Sequence, residues 1–163
     1  MGFISETQKI RSKIAKYLNG KVADIGCGHD PVIPDAFGID CRPFPHVKHI
    51  TRNLNKISEE LGELAGAFDV VYSSHCLEHF HDDIGALSDW VRMAKDGGYI
   101  ILYLPDDRFY RNDLNPDHVQ RYEHESFVES FLPKISGATL VESGPDVGDD
   151  RYSFYVVLKK SSN

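Results

Sequence analysis

A short apolar run, Val22-Ala23-Asp24-Ile25, ends at Gly26-Cys27-Gly28, and this junction narrows the folding options of the chain more than any other stretch. β-branched residues running into two glycines spaced one apart read as a strand that leaves a sheet and turns at once, where backbone must approach something closely. Pro31 and Pro34 then forbid a regular helix over residues 27–35. Parallel neighbours usually need a crossover of about a dozen residues or more, generally helical. If the next apolar run, Phe37-Gly38-Ile39-Asp40, is a parallel neighbour, the connection is therefore an irregular, abbreviated loop. Asp40 stands at the tip of that second run, where a carboxylate can accept hydrogen bonds from two ribose hydroxyls. Turn and carboxylate together predict a nucleoside-containing ligand.

The rest of the chain supplies a sheet for this turn to leave. Ser5 to Leu18 carries Ile10, Ile14, Tyr17 and Leu18 at helical spacing and stops at Asn19-Gly20; it is expected to lie against the sheet or roof the ligand cleft. After the strands at 21–25 and 37–40, Val47 to Thr51 reads as a third, and Ile57 to Ala65 as a short helix weakened by Gly62. Phe68 to Ser74 is apolar enough for a central parallel strand buried on both faces. Asp83 to Ala94 reads as a helix ended by Asp96-Gly97-Gly98, and Tyr99 to Leu104 as a buried strand stopped by Pro105. His124 to Leu132 is expected to be helical. Thr139 to Glu142 and Tyr152 to Lys159 are expected to pair antiparallel around Gly144-Pro145. The alternation predicts an α/β fold, a doubly wound and mostly parallel sheet with an antiparallel C-terminal strand pair. It forms a single domain over 1–163: an N-terminal helix (1–20), a ligand-binding core (21–105) and a segment with the closing strands (106–163).

Composition bounds the function. With 163 residues, 41% of them hydrophobic and 26% charged, the chain suits one ordinary globular domain. No apolar run approaches the roughly 20 residues of a membrane span, and Met1 to Gly20 lacks the apolar centre of a secretory signal, so a cytoplasmic protein without a membrane partner is expected. The net charge of −7 is uneven: Lys9, Arg11, Lys13, Lys16 and Lys21 face only Glu6 in the first 21 residues. The body is therefore more acidic than the total implies, which disfavours nucleic acid as a partner. Cys27, Cys41 and Cys76 are odd in number and lack Cys-x-x-Cys spacing, so reduced thiols are expected.

Three ligand classes compete for a Gly-x-Gly turn after a strand. A dinucleotide needs a third glycine and a helix to hold the pyrophosphate, and Pro31 occupies that place. A P-loop needs Gly-Lys-Ser/Thr, which is absent. S-adenosylmethionine carries ribose and adenine but no phosphate, so it can use a glycine turn without a following helix.

Asp24-Ile-Gly-Cys-Gly28, Gly38-Ile-Asp40, the run from Phe68 through Ser73-Ser-His-Cys-Leu-Glu-His79, and Lys95-Asp-Gly-Gly98 before a strand resemble, in order and spacing, the class I S-adenosylmethionine-dependent methyltransferases. The chain is most similar to a small bacterial branch, type 11-like, with a shortened first crossover and a segment like Asn115-Pro-Asp-His118 after the fifth strand. The resemblance spans roughly residues 20–132 and implies a Rossmann-like sheet. It implies that Gly26 and Gly28, with Cys27 between them, pass beneath the methionine part of the cofactor, and that Asp24 orients the turn. Asp40 would take the ribose hydroxyls, and Asn53-Leu54 would stand near the adenine. Ser73, Ser74 and His75 would line the cleft beside the transferable methyl, and His29 or an arginine would compensate for the missing helix.

Methyl transfer is an in-line displacement at an activated carbon, so a general base is needed only for a protonated acceptor. His118, His75 and Asp106 are the catalytic candidates, with His79 beside them; each falls at or after the end of a strand, where open α/β sheets bind ligands. Each also has a plainer reading: His79 and His118 as anchors of their loops, Asp106 as the cap of a turn after Pro105. His75, His79, His81 and Cys76 can be read as a metal cluster, but no further ligand pattern accompanies them and no metal is expected. Tyr103, Phe109, Tyr110 and Tyr122 with Arg108, Arg111 and Arg121 form an aromatic and basic segment that suits a sugar or an anionic small molecule, or packs as a loop. The resemblance implies methyl transfer to a small-molecule acceptor such as a sugar or glycan precursor; the sequence does not choose between a monomer and a homodimer. A module that binds S-adenosylmethionine or its demethylated product without turnover is the alternative.

Overall fold

The computed structural model describes residues 5–145 and 152–162; of the N-terminal segment, residues 1–4 lie outside these. Helix α1 (Glu6–Ile14) opens with Ser5 as its cap, the Ser5 hydroxyl accepting from Gln8 N at 3.0 Å, and closes through a 3-10 turn at Ala15–Tyr17. Strands β1 (Val22–Ile25), β2 (Phe37–Asp40) and β3 (Val47–Ile50) follow, then α2 (Ile57–Leu61), β4 (Phe68–Ser74), α3 (Asp83–Met93) and β5 (Ala94–Pro105). A helical segment α4 (His124–Ser126), continued by a wide turn at Phe127–Phe131, precedes β6 (Ala138–Pro145) and β7 (Ser153–Lys160). The strands lie in the order β3-β2-β1-β4-β5-β7-β6. β1 to β5 are parallel, and β7 runs antiparallel to both β5 and β6. The doubly wound fold and its antiparallel end are as the pattern predicts.

Period-2 alternation sorts the sheet residues onto two faces. Ala23, Ile25, Val71, Ile100, Leu102, Phe154 and Val156 pack with Leu87, Trp90 and Val91 of α3 and with Phe127. Val22, Val70, Tyr72, Ile101, Tyr103 and Val157 pack on the opposite face with Ile10 and Ile14 of α1 and with Val32 and Ala36. That second layer is thin because the connection from β1 to β2 contains no helix, so α1 and the loop itself cover the sheet there.

Two boundaries differ from the sequence reading. Asp96-Gly97-Gly98 does not end α3, whose C-cap is Ala94; these residues lie inside the first part of β5, where pairing with β4 slips from Phe68↔Ala94 to Val70↔Tyr99. Gly97 takes φ 74°, and a Cβ on Gly98 would meet Lys95 O at 2.9 Å, so glycine is what permits the slip. Gly144-Pro145 likewise continues β6 rather than breaking it, paired with Tyr155 and Phe154. Among the described residues no helix is long and apolar enough to cross a membrane.

The order of strands reverses between β1 and β4, since β2 and β3 extend the sheet one way and β5 the other. In open α/β sheets such a switch point leaves a crevice at the carboxyl ends of the strands.

Candidate active site

The turn after β1 is held by groups that reach it from three directions. Gly26 N donates to Ile39 O at 2.8 Å, and Gly26 takes φ 69° where a Cβ would lie 2.7 Å from Cys76 Sγ. Gly28, at φ 55°, donates its N–H to Asp40 Oδ2 at 2.9 Å, and a Cβ there would meet nothing within 4 Å. Asp24 stays beneath the turn: its buried Oδ2 accepts from Val32 N at 2.6 Å. Burial pushes its carboxyl up to about 7 despite the pull of that N–H. Arg11 of α1, unremarked in the sequence except as a charge, binds the same loop from outside, donating to Val32 O at 2.9 Å, Asp30 Oδ1 at 2.8 Å and Pro31 O at 3.0 Å. These bonds do for the abbreviated crossover what a helix's own ladder would do in a longer one.

A cavity of about 680 Å³ opens at the switch point, in the size range of small-molecule sites. Gly26 and Gly28 line it from β1, Asp40 from β2, and His75 and Cys76 from the end of β4; Leu54, His79 and Phe80 continue the wall, and His29 and Arg42 also border it. Asp40 is 7% exposed, and its Oδ1 accepts from Arg42 N at 2.9 Å. Each carboxylate oxygen thus holds one backbone donor and keeps a second lone pair for a ligand.

Other residues expected at the ligand stand elsewhere. Asn53 is exposed, and its amide donates to Glu60 Oε1 at 3.4 Å rather than reaching the cavity; Leu54 alone of that pair lines it, its carbonyl accepting from Trp90 Nε1 at 2.7 Å. Ser73 is turned into the sheet, its hydroxyl donating to Ile25 O at 3.0 Å, and Ser74 is not part of the lining. Cys27 is buried beneath the turn against Gly38, and burial pushes its thiol up to about 12, which suits a space-filling role.

Of the three candidate bases, only His75 borders the cavity. It has φ 47°, unusual for a residue with a Cβ, and its ring is enclosed by Tyr103 and Tyr110 at centroid distances of 5.4 and 5.9 Å. Burial drives its pKa down to about 3, so the imidazole is neutral at ordinary pH. His118 lies behind His79, their rings 4.8 Å apart, with Nδ1 2.6 Å from Asn112 Oδ1 and Nε2 2.8 Å from Asn115 Nδ2. Burial also lowers its pKa. Asp106 is buried in a two-pronged pair with Arg108, at 2.9 and 2.7 Å, and accepts from His124 N at 3.3 Å. Burial raises its carboxyl, but the Arg108 bonds outweigh that and leave it below the ordinary range. It is a joint between β5 and α4, away from the cavity.

Glu78 escaped individual notice in the sequence. It is 0% exposed, and neither carboxylate oxygen has a hydrogen-bond partner. Its Oε1 lies 3.8 Å from His75 Nδ1 and 3.8 Å from His118 Nε2. Burial pushes its carboxyl up to about 8. The spacing His75-x-x-Glu78-His79 was the available signal, since residues one turn apart in a tight loop share a face.

The sequence profile of the methyltransferase domain family matches residues 5–140. Ajmaline N-methyltransferase of Rauvolfia serpentina is 28% identical over 134 residues, 71% of this chain and 44% of that protein. The chain thus spans less than half the length of this curated relative. Among solved structures, the 1,6-didemethyltoxoflavin-N1-methyltransferase of Burkholderia thailandensis, determined with 1,6-didemethyltoxoflavin and S-adenosylhomocysteine, superposes with a TM-score of 0.71 at 14% identity, over 98% of this chain and 80% of that one. The N-methyltransferase NodS of Bradyrhizobium japonicum gives 0.65 at 16% identity, over 96% and 94%. At those identities the structural likenesses establish the fold.

Proposed function

The chain belongs to the methyltransferase domain family, and from that premise we propose that it transfers a methyl group from S-adenosylmethionine to a small-molecule acceptor. One observation carries the reading: the Gly28 N–H to Asp40 Oδ2 bond brings a bare glycine floor and a strand-tip carboxylate into the same cavity at the switch point. The residues present fit the cofactor. Gly28 leaves open the space a Cβ would fill, and Asp40 keeps lone pairs for a ribose diol. Leu54 offers an apolar wall to the adenine, and His29 and Arg42 are the candidates to meet the cofactor carboxylate. S-adenosylmethionine supplies a methyl carbon already activated by its sulfonium, so the protein's share is alignment and exclusion of water.

A second cavity of about 420 Å³, lined by Phe109, Tyr110, Arg111, Leu114, Asn115 and Tyr152, supports the acceptor side of this reading. Tyr110 and Tyr152 both edge the His75 ring, which borders the cofactor cavity. Aromatic faces with a guanidinium suit a sugar or glycan precursor. The names of the relatives make a ring or amine nitrogen the other acceptor class. A neutral nitrogen needs no base, in keeping with the engagement of Asp106 and His118 in bonds of their own.

Incubation with methyl-labelled S-adenosylmethionine and panels of sugar nucleotides and heterocyclic amines tests the proposal, with label expected in a product of one panel. Tight cofactor binding with no label in any acceptor would favour the module that binds without turnover.

A further inference from the structure

Glu78 poses a problem that methyl transfer does not solve. A carboxylate with no solvent exposure and two unpartnered oxygens is costly to bury unless something positive or protic meets it. Around it stand imidazoles. One ligating atom from each of Glu78, His79 and His118 lies within 4.8 Å of the others, and Glu78 Oε1 is 3.8 Å from His118 Nε2.

The hydrogen bonds behind the rings decide which nitrogens are available. Asn112 Nδ2 donates to Asp107 Oδ1 at 2.6 Å, which directs Asn112 Oδ1 to His118 Nδ1, also at 2.6 Å. A carbonyl oxygen only accepts, so Nδ1 of His118 carries the proton and Nε2 keeps its lone pair. His79 repeats the arrangement: its Nδ1 donates to the backbone carbonyl of Asp117 at 2.9 Å, and Nε2 is the ring nitrogen left to ligate. Metal-binding histidines are oriented in this way, one ring nitrogen donating to a carbonyl or carboxylate and the other left to ligate.

We propose that Glu78, His79 and His118 form a binding site for a divalent transition-metal cation at the edge of the cofactor cavity. Nitrogen ligands lie about 2.0–2.1 Å from zinc. In a tetrahedral site the donors are thus roughly 3.3 Å apart, and closing the observed cluster needs side-chain shifts on the order of an ångström. Asn115 Nδ2, now 2.8 Å from His118 Nε2, is the group that the entering cation displaces; it is half-buried on the loop after β5 and can rotate outward. Two imidazoles and one carboxylate suit Zn²⁺, Co²⁺ or Mn²⁺ and suit Mg²⁺ and Ca²⁺ less, since those prefer all-oxygen shells. The set differs from the cysteine and histidine cluster considered from the sequence: Cys76 packs against Gly26, and His81 is exposed.

His79 itself lines the cofactor cavity, so the open coordination position faces a ligand there. An oxygen donor of a small molecule bound to the cation would lose its proton more readily. That last step rests on the proposed methyl transfer; the metal site does not.

The test is titration of the full chain, dialysed against chelator, with Co²⁺ alone, followed by visible d–d absorption and displacement by Zn²⁺. One equivalent is expected to bind, with affinity falling at least tenfold in both Glu78→Gln and His118→Ala and unchanged in His81→Ala, each variant checked for native circular dichroism. No spectral change, or equal affinity in Glu78→Gln and His118→Ala, overturns the site. Calorimetry with S-adenosylhomocysteine on the same samples separates the two readings: Co²⁺ bound at one equivalent without S-adenosylhomocysteine binding supports the metal site and contradicts the cofactor assignment.

Discussion

The backbone N–H of Gly28 donates to Asp40 Oδ2 across 2.9 Å, tying the turn after β1 to the tip of β2. Because the intervening loop has no helix, this bond and the Asp24–Val32 contact at 2.6 Å define how far the turn stands from the second strand. The floor of the cavity and its carboxylate wall therefore move together.

Gly28→Ala separates fold from binding. Its φ of 55° costs a residue with a Cβ about 1–2 kcal/mol, and the methyl meets no protein atom within 4 Å. Urea unfolding is expected to show that modest loss, while S-adenosylhomocysteine affinity measured by calorimetry falls by more than about tenfold because the methyl enters the cavity. Unchanged affinity would remove Gly28 from the cofactor floor.

Arg11→Ala tests how the loop is held. Arg11 makes three bonds to residues 30–32 but is partly exposed, so solvent takes up some of their strength and the expected cost is about 1–2 kcal/mol. Cofactor affinity is expected to fall as well, since the same loop carries Gly28. A variant as stable as the parent would show that the crossover needs no support from α1.

Much of this architecture is legible in the residues. The apolar run from Phe68 to Ser74 and the helical spacing of Ile10 and Ile14 carry their burial openly, and Pro31 and Pro34 announce the missing helix. The start of β5 is not legible, because it depends on a register slip against β4, a long-range pairing in which Gly97 and Gly98 serve the strand instead of ending the helix. Side-chain direction is equally hidden: Asn53 is drawn outward by Glu60 and Ser73 inward by Ile25 O, and spacing along the chain describes neither. Arg11 is only a surface charge by its position in the sequence, because its bonds to Asp30, Pro31 and Val32 depend on where the loop lies in space.

Asp24 gives the fold a pH signature. Its carboxyl titrates near 3.8 when unfolded and at about 7 when folded, so between those values the folded state holds more protons. Stability contributed by this group therefore declines as pH rises from about 4 to about 7 and is level beyond. Asp24→Asn keeps an acceptor for Val32 N but does not titrate. Its stability relative to the parent is expected to grow across that window by up to about 4 kcal/mol, read from urea melts at several pH values. His75, lowered from 6.5 to about 3, works in the opposite direction but is common to both proteins and cancels in the difference. Parallel curves for the two proteins would contradict the assignment.

Calorimetric titration of the parent and Asp40→Ala with S-adenosylmethionine and S-adenosylhomocysteine addresses the cofactor site most directly. The parent is expected to bind both compounds, and Asp40→Ala, with native circular dichroism, to bind neither measurably. Equal affinity in Asp40→Ala, or no binding by the parent, would contradict the placement of the cofactor between Gly28 and Asp40.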